Sequence, residues 1–336
     1  MASSRVVFQY LSIDYRINLL RFIVCALLTC GAVPAAEAQA DPPPVLEEIV
    51  VTASLRPAPA SEVPASVTVL DASLIRSAGL QHFADVVGLV PNLNWSGGTS
   101  RPRYFQLRGI GELEQYQGAP NPSVGFLIDD IDFSGVGMPA TSFDVEQIEV
   151  LRGPQGTRYG ANALAGLINV RTTDPRPERE LRTELTAGED GMSGVAFVAG
   201  GATDLAGDES GAWRFAAQQA RSDGFRRNRY LGRDDTNARD ELTLRGKLRV
   251  QPRAGWQVDL AVLYADLDNG FDAFAPDNSF DTLSDRPGRD AQRASGASAK
   301  VAVDLDAASL LSTTAFAASD SVYSFDGDWG NDAYWG

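Results

Sequence analysis

Over long stretches of the second half of this 336-residue chain, apolar and polar residues alternate with period two. Leu242, Leu244, Gly246, Leu248 and Val250 fall on one side, and Thr243, Arg245, Lys247, Arg249 and Gln251 on the other. Trp256, Val258, Leu260, Val262 and Tyr264 repeat the pattern against Gln257, Asp259 and Ala261, and Val301, Val303 and Leu305 repeat it again. An apolar face with aromatic ends opposite a charged face predicts strands with lipid outside and a wet lumen inside. The same alternation suits a soluble sandwich with one solvated face, because period two does not say what covers the apolar side. These strands occupy residues 176–336, between acidic, glycine-rich loops.

The first half reads as mixed α and β. Residues 66–70 and 124–128 have strand patterns, and residues 72–90 predict a helix. Its apolar face holds Leu74, Ile75, Ala78, Phe83, Val86, Val87 and Val90, with Asp71 as N-cap and Pro91 as the stop. Residues 143–170 carry two strand-like runs, 148–151 and 167–170, around a turn containing Gly153, Pro154, Gly156, Tyr159 and Gly160. Proline fixes one backbone angle and glycine permits positive φ, so this composition predicts a rigid turn. Glu149 and Arg152 lie in or beside the first run and need partners if buried.

Residues 1–40 predict an export signal: Arg5, Arg16 and Arg21, an apolar core over 22–33, and Ala38-Gln39-Ala40 with cleavage after Ala40. The apolar run is shorter than the ~20 residues of a membrane-spanning helix. Cys25 and Cys30 both lie within this leader, so the mature chain is expected to hold no thiol chemistry. Residues 41–59 form a proline-rich tether interrupted by Glu48, Ile49, Val50, Val51, Thr52 and Ala53, a β-branched run without a sheet of its own that invites pairing with a partner's edge. It also suits the first edge strand of the following domain.

Charge and chemistry narrow the function. Lys+Arg number 29 against 44 Asp+Glu, a net charge of −15, which argues against nucleic acid as a partner. With a single histidine, His82, and no mature cysteine, histidine-based triads and ordinary zinc sites are excluded, so neither an enzyme nor a cofactor is expected. Asp129, Asp130 and Asp132 read as a strand-end turn in preference to a calcium loop.

Residues 143–170, FDVEQIEVLRGPQGTRYGANALAGLINV, resemble the plug signature of TonB-dependent outer-membrane receptors, and VPASVTVLD, LVPNL, FQLRGIG and PSVGFLIDDI precede them in the family's order. Where the family more often has leucine-tyrosine-glycine-arginine-asparagine, this chain has Arg158, Tyr159, Gly160, Ala161 and Asn162. The resemblance implies an α+β plug over 60–175, then antiparallel transmembrane strands of a barrel of about 22 strands. At ~10 residues per strand, residues 176–336 supply about six to eight, so an incomplete barrel or a fragment is expected. The resemblance makes Glu48 to Ala53 the TonB box, which docks on the inner-membrane TonB protein. It makes Arg108, Glu149 and Arg152 anchors between plug and barrel, with pairing inside the plug as the alternative. Trp95, Arg101, Arg103, Tyr104 and Tyr116, aromatic and arginine residues in a loop-rich stretch, are ligand-contact candidates. The implied function is energised import of a small ligand, a ferric siderophore foremost, across a Gram-negative outer membrane, with a non-transporting surface binding protein or adhesin as the rival.

Overall fold

The computed structural model describes residues 50–53, 58–80, 83–96, 101–113, 122–136, 141–159, 162–205, 211–305 and 308–336. The expected leader and its cleavage site, Glu48, Ile49, His82, Tyr116 and Gly160 lie outside the described residues.

In chain order, β1 (Val50–Val51) pairs antiparallel with β2 (Ala58–Pro59). Next come β3 (Ser66–Asp71), α1 (Ala72–Ser77), α2 (Phe83–Val87), β4 (Leu93–Ser96) and β5 (Tyr104–Leu107). They are followed by β6 (Val124–Ile128), β7 (Ile131–Asp132), β8 (Val145–Arg152), α3 (Gly156–Tyr159) and β9 (Gly166–Thr172). A five-stranded sheet has the order β3-β8-β9-β6-β7, in which only β6 and β9 are parallel. The two runs around the glycine-rich turn thus become central neighbours, with Val150 opposite Ile168. Phe83 packs edge-on against Phe126, which stacks on Phe105.

The expected single helix over 72–90 is two. Asp71 does cap the first, its carboxylate accepting from the Leu74 amide at 2.8 Å. Gly79 then adopts φ +63°, and Leu80 N–H returns to the Ile75 carbonyl, closing α1 with a left-handed cap before α2 begins. The apolar periodicity runs through this break because Ile75, Phe83 and Val86 all face one core.

The second half is a seven-stranded antiparallel sheet. Its order is β10 (Glu180–Ala187), β11 (Ser193–Thr203), β12 (Gly211–Ser222), β14 (Arg239–Val250), β15 (Trp256–Phe271), β17 (Gly288–Leu305) and β18 (Ala308–Ser324). The sheet is open, with β10 and β18 at its edges. Short pieces β13 (Arg227–Asn228) and β16 (Asp281–Thr282) zip the two long loops 223–238 and 272–287 together at one end, and α4 (Asp332–Trp335) lies beyond β18. At the other end, strands are joined by the shorter connections 204–210, 251–255 and 306–307. Outer-membrane barrels have this asymmetry, with short turns on the periplasmic side.

Burial separates barrel from sandwich. On β14 the polar positions Glu241, Thr243 and Arg245 are buried. Apolar Leu185, Val195 and Val262 on the opposite face are 62%, 56% and 56% exposed. A soluble sandwich would bury the apolar face, whereas here the polar face is covered and the apolar face meets the surroundings. The covered side changes character where the plug touches it directly: Leu263, Ala265 and Leu267 of β15 and Ala294 of β17 join the plug's own hydrophobic core. At Gly296 of β17, an added Cβ would lie 2.7 Å from Ile131 Cγ2 and 2.9 Å from Phe133 Cζ, so the absent side chain seats the plug on the wall. Gly296→Val is expected to cost about 1–3 kcal/mol of stability through overpacking. Urea unfolding of the variant checks this, and an unchanged midpoint would mean the plug does not rest there.

Candidate functional site

The amino-terminal run is held against the plug by a cluster of side chains centred on one carboxylate. Glu149, in β8 and fully buried, accepts from Thr52 N–H at 2.7 Å, Thr52 Oγ1 at 2.8 Å and Ala53 N–H at 2.7 Å. Gln147 Nε2 at 2.7 Å and Asn169 Nδ2 at 3.1 Å donate to the same carboxylate. Gln147 Nε2 also donates to the Val50 carbonyl, and Tyr159 OH to that of Ala53. Apart from Thr52 Oγ1 these bonds use main-chain groups of residues 50–53, and the buried Ala53 also packs with Leu127, Leu151 and Leu167. Beyond these contacts, β1 pairs with the two-residue β2 and stays outside the five-stranded sheet.

Arg152 donates to Thr68 Oγ1 at 2.9 Å and the Pro91 carbonyl at 3.0 Å, inside the plug. Burial and the charge of Arg108 push its guanidinium below its ordinary value. Arg108 is exposed, in a left-handed turn at φ +55°. In the glycine-rich turn, Gly153 has φ +107° and its N–H donates to the Ala165 carbonyl, while Gln155 N–H donates to that of Ala163, so the turn is tied back onto the approach to β9.

The contacts between plug and wall are made elsewhere. Asp144, just before β8, receives a forked pair from Arg214 of β12 (Nε to Oδ2 2.8 Å, Nη2 to Oδ1 2.6 Å) and a third bond from Arg182 of β10 at 3.2 Å. Arg245 of β14 donates to the carbonyls of Thr141 and Phe143 beside it. The β6–β7 hairpin turns through Asp129 and Asp130, both at positive φ (48° and 66°), the arrangement of a tight two-residue hairpin turn. Lys247 Nζ donates to Asp129 Oδ1 at 3.1 Å, the Thr172 carbonyl at 3.0 Å and Asp174 Oδ1 at 3.0 Å. Ser298 Oγ donates to the Asp129 carbonyl at 2.8 Å, and Lys300 Nζ lies 3.4 Å from Asp130. Arg214, Lys247 and Ser298 fall on one cross-strand row, and Arg182, Arg245 and Gly296 on the next. The reading of 129–132 as a turn therefore acquires a purpose: the turn is a docking tip.

Near the long-loop end the polarity reverses. Arg101, 2% exposed, reaches from the plug to Asp290 at 2.9 Å and to Gln292 on β17. Arg103 lies 4.0 Å from the same carboxylate. Two expectations thus need correcting. Among the described residues, Glu149 bonds to the plug and the amino-terminal segment and Arg152 within the plug, neither to the wall, because β8 is interior to the sheet and its side chains meet plug neighbours. Arg101, expected at a ligand, is spent on the wall, because the loop that carries it runs alongside β17. Trp95 packs partly buried on the plug core, and Tyr104 is half-buried in β5. The actual anchors had a visible signal: Arg245, Lys247 and Arg249 recur at every second position of the lumen face.

Between the hairpin, the amino-terminal segment and the wall lies a cleft of about 340 Å³. It is lined by Thr52, Asn169, Asp129 and Asp174 on one side and Lys247, Arg249 and Lys300 on the other. Burial alone would raise the Asp174 carboxyl, but Lys247, Arg171 and Arg249 outweigh it and hold it well below the usual carboxylate range.

Residues 59–167 match the TonB-dependent Receptor Plug Domain. The vitamin B12 transporter BtuB of Vibrio vulnificus is 30% identical over 204 residues, which are 56% of this chain and 31% of that protein. The pesticin receptor of Yersinia pestis is 34% identical over 131 residues, 38% of this chain and 19% of the receptor. The ferric yersiniabactin uptake receptor FyuA of Yersinia pestis superposes with a TM-score of 0.67 at 22% identity, over 78% of this chain and 42% of FyuA, a likeness of fold. Residues 59–167 are a TonB-dependent receptor plug domain. The chain spans less than half the length of each of these relatives. These relatives are named as transporters and receptors, and what the geometry here supplies is a set of holding contacts.

Asp144→Asn in the receptor leaves Arg214 buried with only the Glu180 carboxylate, 2.7 Å away, as a charged partner. A loss of about 3 kcal/mol is expected, measurable by denaturant unfolding. For Asp174, whose folded-state value is depressed, the contribution is complete above the unfolded value of about 3.9 and disappears only as pH falls through the lower folded value. Exchange protection of the Thr172 and Thr173 amides should therefore hold from pH ~6 to pH ~4 and decline progressively below it; failure between pH ~6 and ~5 would contradict the assignment.

Proposed function

We propose that this chain is the plug-bearing part of an energised importer, with residues 48–53 as the TonB box. The assigned organisation is leader 1–40, tether 41–59, plug 60–175 and wall strands 176–336, in a Gram-negative outer membrane. The observation that carries the reading is the hold on Thr52 and Ala53 by Glu149: a short extended segment, stored through its main-chain amides, at the end of the barrel with short turns. A segment stored this way can be recaptured by the edge of a partner sheet, because both states satisfy the same backbone groups. Coupling follows if ligand on the long-loop side favours the plug state in which the segment is free. The cargo is a small ligand, and a ferric siderophore is the first choice, in keeping with the ferric yersiniabactin receptor; the B12 transporter supports a corrinoid as the second.

In cells producing a receptor that carries this chain, deleting residues 48–53 should abolish uptake of labelled ligand and leave surface binding intact. Loss of both, or of neither, would favour the non-transporting reading. Glu149→Gln removes the charge and turns one of the two accepting oxygens into an NH2 group that cannot accept, so the bonds on that side are lost, at a cost of about 1.5–3 kcal/mol. A spin label at Thr52 should then report a mobile population raised about tenfold or more.

A further inference from the structure

At the long-loop end, three segments far apart in sequence share one polar core. β13 in loop 223–238 pairs parallel with β16 in loop 272–287, Arg227 N–H reaching the Phe280 carbonyl at 3.2 Å and Arg229 N–H that of Thr282 at 2.9 Å. Two residues in each strand make too short a ladder to be stable by itself. What holds it is the buried side chain of Asn228. Its Nδ2 donates to Asp272 Oδ2 at 2.9 Å and to the Ser284 carbonyl at 2.8 Å, while its Oδ1 accepts from Leu231 N–H at 2.8 Å. Thr282, fully buried, donates from Oγ1 to the same Asp272 oxygen at 2.6 Å. A carboxamide both donates and accepts, so one side chain here fixes the turn of its own loop and grips the next loop at two points.

The third segment, residues 325–336, is tied to the second. Asn331 Nδ2 donates to the Leu283 carbonyl at 2.7 Å, and Asp285 N–H to that of Gly330 at 3.0 Å. Ser284 joins all three segments, its carbonyl held by Asn228 and its hydroxyl given to Asp326 Oδ2 at 2.7 Å. Aromatic rings close both flanks: Phe225 meets Phe280 edge-on at 5.6 Å, and Phe274 stacks on Trp329 at 5.0 Å. Loosening any one segment therefore strands buried polar groups of another, which ties their openings together. We infer that the three segments form one locked cap, keyed by Asn228, that opens as a single unit. The rim above β12 to β18 is thereby set in shape before any ligand arrives. This cap is built from the chain's own loops and stands apart from the import reading and from the amino-terminal segment.

The test is hydrogen exchange on the full chain in non-ionic detergent, read by mass spectrometry with fragmentation to single amides. The Arg229 amide bonds the first segment to the second and the Asp285 amide the second to the third, so in the unaltered protein their protection should agree within about fivefold. Asn228→Asp keeps the acceptor for Leu231 and loses both cross-loop donors, so exchange should rise about tenfold or more at Arg229 and Asp285 together. Amides in the middle of β14 and β15 should keep their protection. Adding Asp272→Asn, which returns a donor across the gap, should recover part of the rise. A larger difference between the two amides in the unaltered protein would overturn the inference without any variant, and so would a rise confined to residues 228–233 or no rise at all.

Discussion

Fixed cations on the lumen face of the wall, paired with carboxylates and carbonyls of the plug, are the interaction on which the rest of this structure depends. Arg182, Arg214, Arg245, Lys247 and Lys300 come from β10, β12, β14 and β17, so they are brought together only when those strands are in register. The plug offers Asp129, Asp130, Asp144 and Asp174 from two turns and a connecting segment. Neither surface is comfortable alone. Removing one partner of a buried pair strands the other, which penalises a half-seated plug more than it rewards a seated one. Such a seam specifies position sharply while leaving the net energy of docking modest.

That arrangement divides the plug by duty. β6, β7 and the residues before β8 face the wall and hold the domain in place. The centre of β8 faces the amino terminus and holds the stored segment through Glu149. The two duties meet at Asn169, which donates to Glu149 and also lines the cleft beside Lys247. Displacing the segment therefore alters the lining of a charged cleft directly.

Much of the architecture was legible in the sequence because it is local. Period two gave the wall strands, and glycine and proline spacing gave the β8–β9 turn. What period two withheld was the identity of the covered face, since only packing reveals that Thr243 is buried and Val262 is not. The helix over 72–90 was read through Gly79 because its two pieces share a core, and apolar periodicity cannot register a change of axis. The anchors were assigned to Glu149 and Arg152 because their charges stand out within an apolar run. Both are satisfied by neighbours in the plug and the segment before it, while Asp144 looked like an ordinary polar position and the alternating Arg245, Lys247 and Arg249 named no partner until strands distant in sequence were placed side by side.

The tip of the β6–β7 hairpin imposes two demands on the same pair of residues. Asp129 and Asp130 both take left-handed backbone angles, and both present a carboxylate to a lysine of the wall. Glycine meets the first demand and forfeits the second; glutamate carries the charge but accepts that backbone poorly; asparagine takes the backbone angle and loses the charge. Of the twenty amino acids, aspartate alone answers both, so this turn has almost no freedom to drift as long as lysines stand opposite it.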